Sequence, residues 1–315
     1  MQPHPAPPVF AAVDWGTTSF RLRLVDARGE VVGERRSEQG MRALARDGYA
    51  DVLAAHLAAL GAPALPVAVC GMAGSREGWH EAPYVDVPAS PGEILDHAVR
   101  VPAAALDVRI LPGLAVRDPD RPDVMRGEET KLLGFLAGEG EADGLVCMPG
   151  THTKWVRLAG GRVAGFATVM TGELFALLCE QSILRHAVAG QEGTGRPDAP
   201  DFLAGLARGL ADPGGAVAAL FALRARGLLL GAGGGETADR LSGLLIGAEV
   251  GGQLADGAAR RVTLVASGRL AGLYARAIEA AGAEVRAIEA DRAVLDGLTL
   301  AARRFWPEAF ERRSA

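Results

Sequence analysis

The chain has 315 residues, about half of them apolar, and this length allows two domains that each bury a core. Its net charge of −5 and the lack of basic clusters interleaved with aromatic residues argue against a nucleic-acid partner. The start MQPHPAPP lacks a signal-peptide pattern and no apolar run reaches transmembrane length, so we expect a cytoplasmic protein with no membrane partner.

The first predicted element is a strand, a polar turn and a second strand over residues 9–25, VFAAVDWGTTSFRLRLV. The apolar run ends at Asp14, and Gly16, Thr17 and Thr18 follow it. Glycine lets the backbone approach phosphates closely, backbone N–H groups bind them, and a carboxylate holds Mg²⁺ through water. The turn is therefore a candidate phosphate site, and the alternative is an ordinary hairpin with a polar tip.

A third strand and a helix lead to the buried strand PVAVC, which runs into the loop GMAGSREGW over residues 71–79. Ligands bind beyond the carboxyl ends of strands in open α/β sheets. We therefore expect Ser75, Arg76 and Trp79 to bind substrate, with a plain strand-to-helix connection as the alternative.

An acidic helix start follows in the sequence VMRGEETKLLGFL, residues 124–136. Glu128 and Glu129 fall in the first turn of this helix, where the helix dipole favours carboxylates. The chain contains only two lysines, and Lys131 is one of them. Because Arg126, both glutamates and this lysine crowd together, a functional cluster is favoured over a routine helix start.

The second half repeats the order of the first. The strand GLVCM ends at the turn PGTHTKW, which contains Gly150, Thr151, His152 and Lys154, and two more strands follow. Two glycine-threonine turns, each opening a β-meander, predict a duplicated domain whose turns face each other across a cleft.

The remaining chain is predicted to be mostly helical. In the long helix near residues 236–254, glycines recur every four positions and permit close packing against the sheet or another helix. The buried strand RVTLVA ends at Ser267 and Gly268, which begin an amphipathic helix. A helix N-terminus after a strand is a place where phosphate or adenosine binds.

The motifs DWGTT, GMAGSREGW, VMRGEET, MPGTHTKW, VMTGEL, SGLLIGAEV and TLVASG follow in this order along nearly the whole chain. In these motifs the sequence resembles the 2-dehydro-3-deoxygalactonokinase family, in the sugar-kinase branch of the actin, hexokinase and heat-shock-chaperone ATPase superfamily. The resemblance implies an α/β fold of two RNase-H-like domains, each a mixed sheet flanked by helices, with a nucleotide cleft between them.

The resemblance also implies a domain organisation. Residues 1–8 are expected to form a disordered tail. Residues 9–136 would form the N-terminal domain with the first phosphate motif and the sugar loop. Residues 137–315 would form the C-terminal domain with the second phosphate motif and the adenosine motif.

The activity implied by the resemblance is ATP- and Mg²⁺-dependent phosphorylation of 2-dehydro-3-deoxy-D-galactonate to its 6-phosphate in galactonate catabolism. The alternatives are a kinase for another small sugar or sugar acid and a non-catalytic ATP-binding regulator of the same fold. The expected partners are ATP and a small sugar acid, and a homodimer is left open.

Nucleotide-binding roles follow from the motifs that match. The first phosphate motif is matched by Asp14, Gly16, Thr17 and Thr18. The second phosphate motif is matched by Gly150 and Thr151, and the adenosine motif by Ser267 and Gly268. The resemblance implies that Asp14 holds Mg²⁺ through water. Lys154 and His152 stand where glycerol and xylulose kinases usually have small residues, and we expect Lys154 to offset phosphate charge.

The catalytic base is implied by comparison with glycerol and xylulose kinases, which carry it as an Asp after a Gly at a helix start. This chain has Gly127-Glu128-Glu129 there, so the expected base is either Glu128 or Glu129. Arg126 and Arg76 are the expected partners of the substrate carboxylate, because guanidinium binds carboxylate bidentately. His152 is expected either to bind substrate or to orient its turn.

Overall fold

The computed structural model describes residues 6–311, except 63, 103, 139–140, 189, 191–192 and 258. Of the expected disordered tail, residues 1–5 lie outside the described residues, and the first strand begins at Pro8. The chain divides into two compact units. One contains residues 1–142, 159–165 and 290–315, and the other contains residues 143–158 and 166–289.

The first unit contains a six-stranded sheet and a small three-stranded sheet. Its elements up to residue 137 are β1 (Pro8–Trp15), β2 (Phe20–Asp26), β3 (Val31–Ser37), α1 (Tyr49–Ala59), β4 (Val67–Gly71), β5 (Tyr84–Asp86), α2 (Pro91–Asp96), β6 (Val99–Arg100), β7 (Val108–Ile110), β8 (Gly113–Val116), β9 (Asp123–Met125) and α3 (Glu128–Ala137). The large sheet has the order β3-β2-β1-β4-β7-β6. Strand β1 pairs antiparallel with β2 and parallel with β4, so the sheet is mixed.

The small sheet, β5-β8-β9, is absent from the sequence-based prediction. Its strands have three or four residues each, which is too short for a hydrophobic pattern of period two to stand out.

The second unit contains a five-stranded sheet, except for residues 159–165 of two of its strands, which belong to the first unit. Its elements are β10 (Gly144–Met148), β11 (Thr153–Ala159), β12 (Arg162–Val169), α4 (Thr171–Gln181), α5 (Arg185–Val188), α6 (Pro200–Ala211), α7 (Ala216–Leu230), α8 (Gly234–Gln253), β13 (Arg261–Ala266), α9 (Gly268–Ala280) and β14 (Glu284–Glu289). The order β12-β11-β10-β13-β14 matches β3-β2-β1-β4-β7 strand for strand. In both sheets the first strand pairs antiparallel with the second and parallel with the fourth. The prediction of two RNase-H-like domains with mixed sheets flanked by helices is confirmed.

The end of the chain returns to the first unit through α10 (Ala290–Phe305) and α11 (Pro307–Glu311). Helices α3 and α10 cross closely at two glycines. A Cβ on Gly134 would lie 2.0 Å from the Ala293 carbonyl oxygen, and a Cβ on Gly297 would lie 2.0 Å from that of Thr130. The first unit is thus discontinuous in sequence, whereas the sequence analysis placed one boundary after residue 136.

Helix α8 crosses α6 through interlocking glycines. A Cβ on Gly243 would lie 2.1 Å from the Phe202 carbonyl oxygen, and a Cβ on Gly247 would lie 2.6 Å from that of Leu206. The predicted close packing of the glycine-rich helix is therefore confirmed, and its partner is another helix.

One segment, Pro213–Leu230, is long and apolar enough to cross a membrane by length and composition alone. It has a mean hydropathy of 1.3, and 11% of it is buried. Core helices of soluble proteins pass the same test, so the expected lack of a membrane partner stays a prediction.

Candidate functional site

The first glycine-threonine turn is fixed by the segment that follows β3. The Gly16 N–H donates to the Ser19 carbonyl at 2.8 Å, and the carbonyls of Gly16 and Thr17 accept from the N–H groups of Met41 and Arg42, each at 3.0 Å. A Cβ on Gly40 would lie 2.4 Å from the Thr18 carbonyl carbon. The turn is thus supported from behind, while Thr18 is exposed to solvent.

The second turn is supported in the same way by the start of α4. A Cβ on Gly172 would lie 2.4 Å from the Gly150 carbonyl oxygen, and the Glu173 N–H donates to the Thr151 carbonyl at 3.0 Å. Gly40 and Gly172 each come three residues after the third strand of their domain. Neither glycine was predicted from the sequence, although both lie at the same distance after the third strand of their domain, which is a signal that the sequence contains.

Asp14 lies near the end of β1, at the edge of the first turn. Its Oδ1 is 3.8 Å from the Cys70 sulfur. Burial raises the pKa of the Asp14 carboxyl, and the positive charges of Lys131, Arg21 and Arg23 partly offset that rise.

Within the described residues, no three His, Cys, Asp or Glu side chains are grouped as a metal site. Mg²⁺ usually takes one or two protein carboxylates and completes its shell with water and substrate phosphates. The single, partly buried carboxylate of Asp14, which lies beside the candidate phosphate-binding turn at Gly16, therefore fits Mg²⁺.

Two glycines with positive φ bring the start of α3 next to β1. Gly71 has a φ of 87°, and a Cβ there would lie 2.6 Å from the Trp15 carbonyl oxygen. Gly127 has a φ of 104°, and its Cβ would lie 3.3 Å from the Gly71 Cα. Because any side chain would push these backbones apart, the glycines place the acidic helix start beside the turn of Asp14.

The two glutamates at this helix start have different surroundings. Glu129 is fully buried, and its Oε2 accepts a hydrogen bond of 2.6 Å from the Gly127 N–H. The Thr130 hydroxyl lies 3.1 Å from its Oε1. Burial, and after it the neighbouring charge of Glu128, raises the pKa of Glu129 to about 8. Glu129 is therefore mainly protonated at neutral pH, whereas Glu128 is only half-buried.

Two nitrogens of the Arg126 guanidinium have no hydrogen-bond partner among the residues that the structure describes. Nη2 donates to the Ala82 carbonyl at 2.8 Å, and the guanidinium carbon lies 4.4 Å from the centre of the Tyr84 ring. Nε and Nη1 are buried and make no hydrogen bond to the described residues. A Cβ on Gly74 would lie 2.9 Å from Nη1, so the loop needs glycine there. Unpaired buried donors of positive charge suit an anionic ligand.

The other residues of the predicted sugar loop are divided between core and solvent. Trp79 is 9% exposed and packs on Trp15 and Tyr49, with ring centroids 6.0 and 5.9 Å apart. Ser75 donates to the sulfur of Met41 at 3.2 Å, and the Arg76 side chain is exposed. Trp79 therefore has a packing role in the structure, and substrate binding by this loop stays a prediction.

A pocket of about 250 Å³ in the second unit joins the second turn to helices α4, α8 and α9. Its lining includes Gly150 and Thr151 of the turn together with Thr171, Gly172, Asp239, Ser242, Arg269 and Leu270. The predicted adenosine residues Ser267 and Gly268 come directly before Arg269, at the start of α9. The structure thus brings the second turn and the adenosine helix to one cavity.

A loop between α5 and α6 forms part of this pocket. Asp239 accepts hydrogen bonds from the Thr194 N–H, the Thr194 hydroxyl and the Gly195 N–H at 2.9, 2.8 and 3.2 Å. A Cβ on Gly195 would lie 2.0 Å from Cδ of Arg269. Asp239 therefore holds the loop close to α9.

A buried carboxylate supports the second turn from inside the unit. Glu249 accepts from Trp155 Nε1 and from the Tyr274 hydroxyl, both at 2.7 Å. The Tyr274 oxygen also lies 2.9 Å from the Thr153 hydroxyl, and Thr171 bonds to Glu249. Thr153 directly follows the second turn, and Thr171 directly precedes Gly172, which supports that turn from behind. This hydrogen-bond network therefore fixes both the turn and the start of α4. Burial raises the pKa of Glu249.

Two residues near this turn that were predicted to bind ligands, His152 and Lys154, form hydrogen bonds to side chains of the second unit. Nε2 of His152 bonds to Glu173, which favours its turn-orienting alternative. Lys154 is 5% exposed, and its ammonium donates to the Thr168 hydroxyl at 2.8 Å. An effect of Lys154 on phosphate charge stays a prediction.

The family model described as 2-keto-3-deoxy-galactonokinase matches residues 14–301 of this chain. The chain belongs to this family. The resemblance inferred from the sequence motifs is therefore confirmed.

Relatives and a solved structure support the assignment of the chain to the 2-keto-3-deoxy-galactonokinase family. A Rhizobium meliloti (strain 1021) protein assigned as a 2-dehydro-3-deoxygalactonokinase is 50% identical over 95% of this chain and 98% of its own length. The 2-dehydro-3-deoxygalactonokinase of Escherichia coli (strain K12) is 38% identical over 92% of this chain and 96% of its own. A crystal structure from Sinorhizobium meliloti, described as a protein of the same type, has 50% identity and a TM-score of 0.91 over 95% of this chain and 99% of that one.

The residues matched by the family model, 14–301, include both glycine-threonine turns, the acidic helix start and the helix that begins at Gly268. In the first unit the structure groups Asp14, the first turn, Glu128 and Glu129. In the second it groups Gly150, Thr151 and the start of α9. Asp239 and Glu249 were not predicted, because nothing in the local sequence marks a residue that contacts the site from a distant helix. Arg269 was not predicted either, although it directly follows Ser267 and Gly268.

Proposed function

We propose that this chain transfers a phosphoryl group from ATP to 2-dehydro-3-deoxy-D-galactonate and forms the 6-phosphate, a step in galactonate degradation. The observation that carries the proposal is the cluster at the start of α3. There a half-buried carboxylate, Glu128, lies close to an arginine with two unpaired guanidinium nitrogens. A sugar acid offers both a hydroxyl to deprotonate and a carboxylate to bind. Two relatives are named for this reaction.

ATP would bind through the two turns and the pocket of the second unit. Phosphoryl transfer depends on positioning and on neutralising charge more than on covalent chemistry. The turns at Gly16 and Gly150 would hold phosphates with backbone N–H groups, and the pocket beside Arg269 would hold the nucleoside. Asp14 would hold Mg²⁺ through water, and the bound ion would neutralise phosphate charge. That these groups meet in a cleft stays a prediction from the sequence.

Glu128 would be the general base. As a carboxylate with access to solvent, it accepts the proton of the attacking hydroxyl as that oxygen bonds to phosphorus. Glu129 would be a positioning residue, because its oxygens are occupied by Gly127 and Thr130 and it is already protonated at neutral pH. Its bond to the Gly127 N–H holds the helix start in place.

We expect Arg126→Ala to raise the KM for the sugar acid about 10- to 100-fold, the size of one or two lost charged hydrogen bonds. The KM for ATP should change little, since Arg126 would contact only the sugar acid. Steady-state kinetics with each substrate varied in turn measures both values.

Arg76→Ala is the matched control for Arg126→Ala, because it removes the same charge from an exposed position. We expect Arg76→Ala to raise the KM for the sugar acid less than Arg126→Ala does. If neither variant changes the KM for the sugar acid, the assignment of the substrate carboxylate is wrong.

We expect Glu249→Gln to weaken ATP binding about 10-fold, with the KM for the sugar acid unchanged. A glutamine cannot accept from both Trp155 and Tyr274, because one of its two oxygens becomes an NH₂ donor. The second turn then loses part of its support. Calorimetric titration with ADP measures the loss directly.

Glu93→Gln controls for Glu249→Gln, because Glu93 caps a helix of the first unit and is far from the turn in sequence. It should lower the melting temperature without changing ADP affinity. Equal ADP affinity in wild type and Glu249→Gln would contradict the supporting role.

The function itself is tested by coupled ADP release with ATP, Mg²⁺ and a panel of sugar acids. Release that requires 2-dehydro-3-deoxy-D-galactonate supports the proposal. Preference for another sugar acid would assign a different kinase of the same fold. Release without sugar would indicate an ATPase, and nucleotide binding without release would indicate a regulator. The cytoplasm remains the expected compartment, because ATP is available there.

A further inference from the structure

Lys131 lies on the one side of α3 that is open to solvent near the start of the helix. Between residues 128 and 135, Glu128 and Lys131 are half-buried, and the other six residues are buried. Residues three positions apart in a helix lie on the same side of it. The Lys131 side chain therefore leaves the helix beside Glu128, through the same opening.

The Lys131 ammonium is unpaired within the part of the chain that the structure describes. It forms no hydrogen bond and no ion pair with any described residue, not even with Glu128 on the same side of α3. A half-buried ammonium loses part of its hydration, and here no protein group replaces it. Such a cation suits an anionic ligand that binds at this opening.

The charge of Lys131 acts on Asp14, which lies at the edge of the first turn. Burial raises the pKa of Asp14, and Lys131 offsets that rise more than Arg21 or Arg23 does. Arg21 is the residue paired with Asp14 between β1 and β2, yet Lys131 has the larger effect. Because the effect of a charge falls with distance, the ammonium lies close to the Asp14 carboxylate. The two groups do not form an ion pair, which leaves room for a ligand group between them.

We propose that the Lys131 ammonium binds the terminal phosphate of ATP, the phosphoryl group that is transferred. This inference rests on the proposed function, since it takes the region between Asp14 and Glu128 as the place of transfer. The ammonium donates hydrogen bonds to the non-bridging oxygens of this phosphate. Meanwhile the bond from phosphorus to the oxygen of ADP breaks, the bond to the sugar oxygen forms, and the proton of the sugar hydroxyl goes to Glu128.

The charges of this region explain why a cation is needed beside the base. The carboxylates of Asp14 and Glu128 repel a terminal phosphate, which is itself negatively charged. A fixed cation that contacts the transferred group offsets this repulsion and stabilises the charge of the transition state. Only two of the 33 Lys and Arg residues of the chain are lysines. An ammonium is a compact charge, whereas a guanidinium is a broad planar group, so a narrow gap favours lysine here.

Calorimetric titration with two nucleotides tests the contact without any sugar. AMPPNP, an ATP analogue that is not hydrolysed, carries the terminal phosphate, and ADP lacks it. In the presence of Mg²⁺, Lys131→Met should weaken AMPPNP binding about 10- to 100-fold, the effect of a lost charged hydrogen bond, and leave ADP binding unchanged. A structural role of Lys131 would change both affinities by the same factor.

Steady-state kinetics gives a second readout. Lys131→Met should lower kcat about 10²- to 10³-fold, the effect of removing one donor that stabilises transition-state charge, with the KM for the sugar acid unchanged. Arg100→Met is the control, because it removes the same charge from a 70% exposed side chain on β6, three strands away from β1 in the same sheet. It should change neither kcat nor the affinity for either nucleotide.

Several results would overturn the proposal. These are a wild type that does not bind AMPPNP, equal losses of AMPPNP and ADP affinity in Lys131→Met, and unchanged affinity for both nucleotides. Thermal unfolding checks that the variant is folded, and Lys131→Gln takes its place in the same titrations if it is not.

The titrations also separate this contact from the proposed function. If the wild type does not phosphorylate 2-dehydro-3-deoxy-D-galactonate but Lys131→Met still loses AMPPNP affinity selectively, the contact is supported and the proposed substrate is wrong. If the wild type phosphorylates this sugar acid and Lys131→Met binds both nucleotides as the wild type does, the contact is wrong and the proposed function stands.

Discussion

Glu128→Gln is expected to lower kcat by ~10²–10⁴, the contribution of a positioned general base. The KM values for ATP and the sugar acid should change little, because the amide keeps the size and helix position of the carboxylate. Steady-state kinetics with a verified substrate measures kcat and both KM values. A near-wild-type kcat would exclude Glu128 as the base.

Glu129→Gln is the control for Glu128→Gln. Glutamine resembles the protonated acid that a pKa of about 8 produces at neutral pH, so this variant should keep most of its activity there. If Glu129→Gln loses activity and Glu128→Gln does not, the two roles are reversed.

The pH dependence of stability gives a second readout for Glu129. Its pKa is raised from 4.5 to about 8 on folding, so its stabilising contribution is complete below pH 4.5 and is lost as pH rises through 8. Glutamine does not ionise. The free energy of unfolding of Glu129→Gln should therefore exceed that of wild type increasingly as pH rises over this range, which denaturant titrations at several pH values measure.

Asp14→Asn is expected to lower kcat/KM by about 10²–10³-fold, which corresponds to ~3–4 kcal/mol of lost charge stabilisation through the metal. The Mg²⁺ concentration needed for half-maximal activity should rise. The melting temperature should not fall, because burial raises the pKa of Asp14 and the folded protein therefore favours a neutral side chain. Mg²⁺ titration of activity and thermal unfolding measure the two effects.

Asp26→Asn is the control for Asp14→Asn, because it should affect stability and not the Mg²⁺ dependence of activity. Asp26 is 5% exposed and accepts from the N–H groups of Arg28 and Glu30 at 2.9 Å each, which closes the turn after β2. This variant should lower the melting temperature and leave the Mg²⁺ dependence unchanged. Equal Mg²⁺ dependence in Asp14→Asn and wild type would contradict the metal role of Asp14.

Much of the fold was readable because it depends on local patterns. The strands around Asp14 and around Gly150 have apolar runs that end at glycine-threonine turns, and a repeat of that pattern predicts a repeated domain. The short strands β5, β8 and β9 were missed, and so was the return of α10 to α3. That packing depends on Gly134 and Gly297, which meet only in the folded chain.

The sequence by itself determined the family, the duplicated mixed-sheet fold, both turns and the acidic helix start, because each consists of neighbouring residues with a recognisable pattern. Only the tertiary structure separated Glu128 from Glu129, since both have the same sequence context and only Glu129 is fully buried and hydrogen-bonded to the Gly127 N–H, which raises its pKa. It also distinguished the buried, unpaired guanidinium nitrogens of Arg126 from the exposed side chain of Arg76. Such differences come from residues far apart in the chain, which local sequence does not encode.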